Sequence, residues 1–206
     1  MFYKFPIDFV YWEQVGNHKK IKEKLLPAIL NKKRETINPP SGWECNVNTS
    51  FNMGSEFNNF LVDDEIISEV IWKPLDNMFE QLDHSVPIPE ESIIDEGWYS
   101  VYDGLDEHQE VHSHLSSKFY KDGIEYYTSY SAIYLLELQE EKNSTVFYSP
   151  APHTGMEPFY PIAFNPSNKH KIEEGTVFIF PSHLLHYVNP SKNNRVTISY
   201  NIASKS

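Results

Sequence analysis

Arginine is scarce in this 206-residue sequence: Arg34 and Arg195 are the only two. Cysteine occurs once, as Cys45. An internal disulfide is therefore excluded, which is compatible with a reducing compartment, and Cys45 reads as a small packed hydrophobe rather than a nucleophile. Lys and Arg number 17 against 29 Asp and Glu, for a formal net charge of −12. That balance argues against a nucleic-acid backbone as partner, since such binding needs clustered Lys and Arg. It argues equally against an anionic membrane surface. The one dense basic run, Lys19, Lys20, Lys22, Lys24 and then Lys32, Lys33, Arg34, reads as the solvated face of a helix. No apolar run is long enough to cross a bilayer. The opening MFYKFPIDFVYWEQ carries Lys4, Pro6 and Asp8 among its apolar residues, so it reads as neither signal peptide nor membrane span. There is no repeat and no low-complexity tract. The expectation is a soluble, cytoplasmic protein forming a single domain over residues 1–206.

What the sequence does have is rings and a change of character midway. Hydrophobic residues make up 40% and aromatic residues 15%, a globular composition rich in aromatics. Residues 2–12 read as an opening strand. Residues 16–35 read as a helix with Ile21, Leu25, Leu26, Ile29 and Leu30 on one side, and Pro27 as a kink or a restart. Residues 38–42 read as a loop, and 43–53 as extended at best. Asp63 and Asp64 start a second helix, favoured by the helix dipole. It carries Ile67, Ile71, Leu75, Met78 and Leu82, with Pro74 as a kink or break. Residues 1–91 thus form a mainly helical support region. Over 92–206 come strand-like runs at 93–102, 127–138, 144–148, 176–180 and 196–202. Helices first and strands after predict an α+β fold with helices packed on one side of antiparallel sheets.

Two stretches carry chemistry. The first is EEGTVFIFPSHLLHYVNPSKNNRVTISYN, residues 173–201. It reads as two strands joined by a polar turn at 189–194, with His186 just before the turn and Arg195 just after. A hairpin would set these two on adjacent strands, about 4.8 Å apart in the pairing direction. An imidazole on a metal beside a guanidinium can hold a small dianion at both ends. The second stretch is DEHQEVHSHLS, residues 106–116. His108, Glu110, His112 and His114 recur every second residue, which in a strand puts all four on one face. The plainer reading is a solvated sheet edge. Imidazole and carboxylate ligands with open positions suit non-haem Fe(II), although imidazole-rich sites also take Zn, Ni or Cu. His183 is three residues from His186, so a strand sends the two to opposite faces, and His186 is the one expected at the metal. Loops at 118–125 and 151–171, the latter carrying His153, Phe159 and Tyr160, are candidate lids. His153 and His170 receive no role.

The series QEVHSH, SAIYLLE, STVFYSP, EEGTVFIFPSHLLHYVNP and RVTISYN resembles the Fe(II)- and 2-oxoglutarate-dependent oxygenases. Within them it is similar to a group of small, often phage-encoded proteins with Q-x-x-H-x-H, F-P-S-x-L-x-H-x-V-x-P-N and R-x-S-I-S-F-N. The resemblance covers about half the chain, residues 98–202. Further upstream it rests only on GWECNVNTS from Gly42. It implies a double-stranded β-helix (jelly roll, cupin-like) over 92–206, flanked by the N-terminal helices. It implies His112 and His186 as metal ligands, and Arg195 as the partner of the distal carboxylate of 2-oxoglutarate. Thr197 and Ser199 assist Arg195, and Tyr102 touches the co-substrate. The superfamily uses His-x-Asp or His-x-Glu where this sequence has His114; since the similar group also reads H-x-H, His114 is taken as the third ligand, with Glu110 or water as the alternatives. A Tyr-Tyr of many prolyl hydroxylases is Tyr134-Leu135 here. The cofactors implied are Fe(II) and 2-oxoglutarate, with O2 as co-substrate. The reaction implied is hydroxylation of an unknown substrate, with protein or peptide side chains as candidates. Two other readings stand beside it: a cupin-like three-histidine metal enzyme without 2-oxoglutarate, and a non-catalytic jelly-roll binding module.

Overall fold

In the computed structural model, strand β1 (Tyr11–Gln14) leads into helix α1 (His18–Lys32) and a 3-10 turn (Lys33–Glu35). Strand β2 (Asn48–Thr49) and helix α2 (Ser55–Asn58) follow, then α3 (Asp64–Ile67), a π turn (Ser68–Trp72) and α4 (Lys73–Gln81). The remaining strands are β3 (Ser92–Tyr102), β4 (Glu107–His112), β5 (Phe119–Lys121), β6 (Ile124–Leu138) and β7 (Thr145–Tyr148). After them come β8 (Pro161–Phe164), β9 (Thr176–Pro181), β10 (His186–Ser191) and β11 (Arg195–Lys205). The structure describes residues 8–36, 42–45, 47–82, 86, 88–104, 106–115, 118–139, 145–149, 160–191 and 194–205. Expectations for residues 2–7, the loop at 38–41, Ser116, Ser144, the turn residues 192–193 and the lid residues His153 and Phe159 lie outside them.

Helix α1 survives the proline in its middle. Pro27 removes one i→i−4 hydrogen bond, a loss of about 3 kcal/mol or more. Ile21, Leu25 and Ile29 are buried on one stripe, each contributing roughly 1.5–3 kcal/mol, so packing outweighs the lost bond. Leu30, expected on the same stripe, is exposed instead. Pro74 does not break the second helical run either. The π turn Ser68–Trp72 lies just before it, and the wider turn absorbs the missing proline N–H. Asp63 caps α3 by accepting from the Glu65 N–H. No helix among the described residues is long and apolar enough to cross a membrane.

The strands form two sheets. The larger is seven-stranded, ordered β1-β9-β6-β11-β3-β2 with β5 on β6, and the smaller is four-stranded, ordered β4-β10-β7-β8. From β3 onward the chain winds between them: β3 large, β4 small, β5–β6 large, β7–β8 small, β9 large, β10 small, β11 large. All paired strands are antiparallel. One face of the larger sheet, with Tyr134, Leu136, Ile179, Ile198 and Tyr200, packs against α1 and the α3–α4 run in the main core. The opposite face, with Ile133, Leu135, Phe178 and Phe180, meets Phe147 and Phe164 of the smaller sheet.

Several expectations change. The opening strand begins at Tyr11, not within 2–10 among the described residues. Residues 43–53 yield only Asn48–Thr49 as strand. The 118–125 segment is the β5–β6 hairpin rather than a loop, and the 151–171 loop contains β8. The largest correction concerns His186 and Arg195. Their strands are not a hairpin: β10 pairs with β4 and β7, while β11 pairs with β3 and β6. Both edges of each strand are already taken, so the chain passes from one sheet to the other between β10 and β11.

Candidate metal centre

The site lies between the sheets and starts from strand pairing. His186 on β10 sits directly opposite His112 on β4. The next pair is Val188 with Gln109, so β4 carries one more residue than β10 between them. That bulge reverses the alternation on β4. Gln109 and Glu107 point inward before it, Val111 is exposed, and His112 returns to the site. The expected single face of His108, Glu110, His112 and His114 is therefore broken. His108 is half-buried outside the cluster, its Nδ1 bonded to the Asp106 carbonyl. His114 lies beyond the end of β4 and is held by its own N–H donating to the Ser182 carbonyl at 2.9 Å.

His112, His114 and His186 converge, each offering one ring nitrogen, all within 4.8 Å of one another. Ring centroids are 4.2 Å apart for His112–His186, 4.9 Å for His114–His186 and 5.2 Å for His112–His114. Nδ1 of His112 lies 2.8 Å from the Glu110 carbonyl, and Nδ1 of His186 lies 2.9 Å from the Leu184 carbonyl. A carbonyl can only accept, so both Nδ1 atoms carry the proton and both Nε2 lone pairs are free for a metal. Nδ1 of His114 is buried without a hydrogen-bond partner, and the nearby Asn201 side chain opposes the fall in its pKa. Burial lowers the pKa of His112. It lowers His114 to about 3, helped by His112. It lowers His186 well below the usual range, with His112 and His114 adding to the shift. Three neutral imidazoles on one point form the protonation state that a metal requires. Phe147 and Phe180 pack on His186, and Trp98 on His114.

Arg195 reaches into the same interior from the larger sheet. It is 1% exposed, and its Nη2 donates to Thr145 Oγ1 at 2.7 Å. Its Nε and Nη1 are buried without a hydrogen-bond partner. The guanidinium lies over the Tyr102 ring, 5.7 Å from its centroid. Burial pulls its pKa down to about 10, against the opposing effect of Tyr102. Thr145 pairs with Val188, and Phe147 with His186, so Thr145 stands one two-residue step, about 7 Å, from the level of His186 along the smaller sheet. The two residues that a hairpin would have joined are brought together across the sandwich instead.

The other expected residues fall into place around this pair. Tyr102 is buried, and its hydroxyl donates to Gln109 Oε1 at 3.1 Å. Thr197 and Ser199 are buried on the same strand as Arg195, at even spacing from it. The hydroxyl that meets the guanidinium is Thr145, which sequence reasoning left without a role inside STVFYSP. Asn201 was missed too, although it is the next even step after Arg195, Thr197 and Ser199. Glu110 lines the cavity beside the histidines but is not one of the converging three. Its Oε2 is buried without a partner. Its carboxylate reinforces the effect of burial on Cys45, whose thiol is pushed up to about 12. His183 is exposed against Asp8, and His170 stacks on Phe164 away from the cluster. The cavity in front of the histidines measures about 310 Å³ and is walled by Trp43, Phe51 and Trp98.

No protein-family model matches the sequence, and a search of curated proteins finds no match. Solved structures do match. The viral collagen prolyl hydroxylase of Paramecium bursaria Chlorella virus-1, in its 2-oxoglutarate complex, has a TM-score of 0.53 at 14% identity, over 94% of this chain and 96% of that one. A Pseudomonas putida prolyl-4-hydroxylase gives 0.52 at 11%, over 95% and 91%. The non-haem α-ketoglutarate-dependent epimerase SnoN of nogalamycin biosynthesis gives 0.59 at 11%, over 95% and 77%. The likeness is one of fold: two antiparallel sheets with helices on one outer face, as in these prolyl hydroxylases and in SnoN.

Proposed function

We propose that the two-sheet winding is a double-stranded β-helix and that the chain is an Fe(II)- and 2-oxoglutarate-dependent oxygenase. The observation that carries this reading is Arg195. A buried guanidinium with two unpartnered nitrogens is expensive to maintain, costing roughly 1–3 kcal/mol or more for the missing bonds. It is also the group best shaped to take a carboxylate through two parallel hydrogen bonds. It stands in the same interior as three neutral imidazoles, two of them, His112 and His186, held in the tautomer that suits a metal.

His112, His114 and His186 would hold the iron, and the donor set fits: nitrogen ligands that bring no charge of their own. A dianionic co-substrate then balances the charge of Fe(II) inside a dry site. When bound, iron with 2-oxoglutarate and O2 supplies oxidative decarboxylation and C–H hydroxylation, giving succinate, CO2 and a hydroxylated product. The chain's own part is orientation. Arg195, steadied by Thr145 and the Tyr102 ring, binds the distal carboxylate. Gln109 fixes Tyr102 through its hydroxyl. The Glu110 and Leu184 carbonyls set the imidazole planes of His112 and His186, and the Ser182 carbonyl holds the backbone of His114. Phe147, Phe180 and Trp98 keep water from the inner side. A three-histidine dioxygenase that needs no 2-oxoglutarate would use the same imidazoles but would leave Arg195 without a purpose.

Anaerobic loading with Fe(II), followed by 2-oxoglutarate and O2, tests the reading through succinate release. Iron-dependent succinate from the wild type, absent in His186→Ala, is the expected result. No binding of 2-oxoglutarate to the iron-loaded chain removes the reading.

A further inference from the structure

The cavity in front of the histidines has a composition that the proposed reaction does not use. Its aromatic wall is continuous. Trp43 and Phe51 lie 5.3 Å apart, Phe51 and Trp98 5.1 Å, and Trp98 and His114 5.2 Å between centroids. Its polar lining includes three carboxylates, Asp95, Glu96 and Glu110, and, among the described residues, no Lys or Arg. Glu96 stands directly across from Asn201 in the β3–β11 pairing, two residues before Trp98. It therefore lies on the site side of the strand, beside Asn201, which lines the same cavity. Among the described residues, none of these three carboxylates forms a salt bridge, whereas Lys20, Lys22, Lys24, Lys33, Lys73 and Lys118 all pair with acids elsewhere. One oxygen of Glu110 is wholly shielded and unpartnered. Burial raises the pKa of Glu96, Asp95 raises it further, and an Asn52 backbone bond opposes the shift. Burial likewise raises Asp95, with Lys121 the opposing charge. Electron-rich ring faces beside uncompensated carboxylates attract one kind of ligand, a cation held by charge and by cation–π contact.

We propose that the primary substrate carries an ammonium or guanidinium group, bound in this cavity by Glu96 and Asp95 against Trp98, Trp43 and Phe51. The proposal rests on the oxygenase reading above and names its substrate class. The cation is an anchor and is not itself oxidised. In the overall reaction one oxygen atom of O2 enters succinate, the other enters a C–H bond of the anchored molecule, and CO2 leaves. The acidic balance of the whole chain, −12, favours encounter with a cation over an anion.

Binding is measured on the full chain without metal, by tryptophan fluorescence at low salt, since Trp43 and Trp98 line the cavity. The probes are trilysine, triarginine, spermidine, triglycine and triglutamate. Cationic probes are expected to bind about tenfold or more tighter than triglycine, with triglutamate weakest. Raising the salt from 50 to 300 mM should weaken only the cations, an effect to be read with the usual screening length in mind. Glu96→Gln should weaken trilysine about tenfold, with the melting temperature as the check on folding. If Glu96→Gln does not fold, Asp95→Asn, at the exposed rim of the same cavity, takes its place. Equal affinity for triglycine and trilysine, or unchanged trilysine binding in the folded variant, overturns the proposal. Preference for spermidine over trilysine and triarginine identifies a small polyamine-like substrate, and the reverse preference identifies a basic peptide side chain. The two readings fail separately. Cation binding without iron-dependent succinate removes the oxygenase and leaves a cation-binding cavity. Succinate without cation preference removes the substrate class and leaves the oxygenase.

Discussion

The two faces of strand β11 are made from one sequence, RVTISYN, and are governed by opposite rules. Val196, Ile198, Tyr200 and Ile202 face the helices in the main core, and the polar atom there is satisfied: the Tyr200 hydroxyl donates to the Leu61 carbonyl at 2.9 Å. Arg195, Thr197, Ser199 and Asn201 are buried too on the other face, yet the Arg195 guanidinium keeps two nitrogens without partners. Elsewhere in a folded chain such a group is replaced or paired. One face has been optimised for stability and the other carries a standing penalty. A penalty of that kind persists where a ligand relieves it.

Changes on the two faces should therefore separate function from stability. The largest effect belongs to the site side. His186→Ala is expected to lower iron affinity by more than about 100-fold, more than loss of a mere supporting group does, and to end succinate release. Iron content by colorimetry and succinate by chromatography decide this. Ile198→Ala on the helix side should cost roughly 2–5 kcal/mol of folding stability, while the folded fraction binds iron as before. A urea titration with and without metal separates the two quantities. Arg195→Met should reverse that pattern, raising apo stability by about 1–3 kcal/mol as the unpaired guanidinium disappears, while 2-oxoglutarate binding is lost. Lower stability in that variant would mean that the bond to Thr145 outweighs the unpaired nitrogens.

Smaller effects sharpen the same contrast. Arg195→Lys should weaken 2-oxoglutarate roughly 10- to 100-fold with iron little changed, because an ammonium cannot copy the two-pronged contact. The histidine cluster should make the apo protein acid-labile. Its folded pKa values lie below the ordinary imidazole value of 6.5, that of His114 at about 3. Between those limits the unfolded chain binds more protons than the folded one. Stability is thus fully present above about pH 6.5 and falls as pH drops toward 3. Denaturant midpoints measured from pH 7.5 to 5 should decline, and His114→Asn should flatten the decline. His183→Ala is expected to leave iron binding and turnover unchanged, since that side chain lies outside the cluster against Asp8.

The sequence disclosed strand identity better than strand partnership. The alternation in RVTISYN and the apolar runs at 93–102 and 127–138 have clear local causes, and β3, β6 and β11 lie over them. Partnership depends on what else competes for each edge, which no local pattern records. His186 and Arg195 looked like hairpin neighbours because a turn joins them, yet their strands lie in opposite sheets. The bulge on β4 is likewise a property of the pair: β10 supplies one residue fewer between His186 and Val188, and strict alternation mistakes His108 for a companion of His112. Thr145 meets the site from the start of a strand in the smaller sheet and Asn201 from the larger one. Of these two only Asn201 continued a visible rhythm, whereas His114 was legible in the alternation of residues 108–114.

Strand β11 lies between β3 and β6 at the centre of the larger sheet, and it follows both of them in sequence. Until residues 195–205 have been made, β3 and β6 have no neighbour along those edges, and the helices have no complete surface to settle on. Order must come through pairings closed over about a hundred residues of chain, the kind that fold slowly and late. The same strand delivers Arg195. A chain still being synthesised accordingly has neither a finished sheet nor the arginine, and sheet completion and arrival of the proposed carboxylate anchor become a single event.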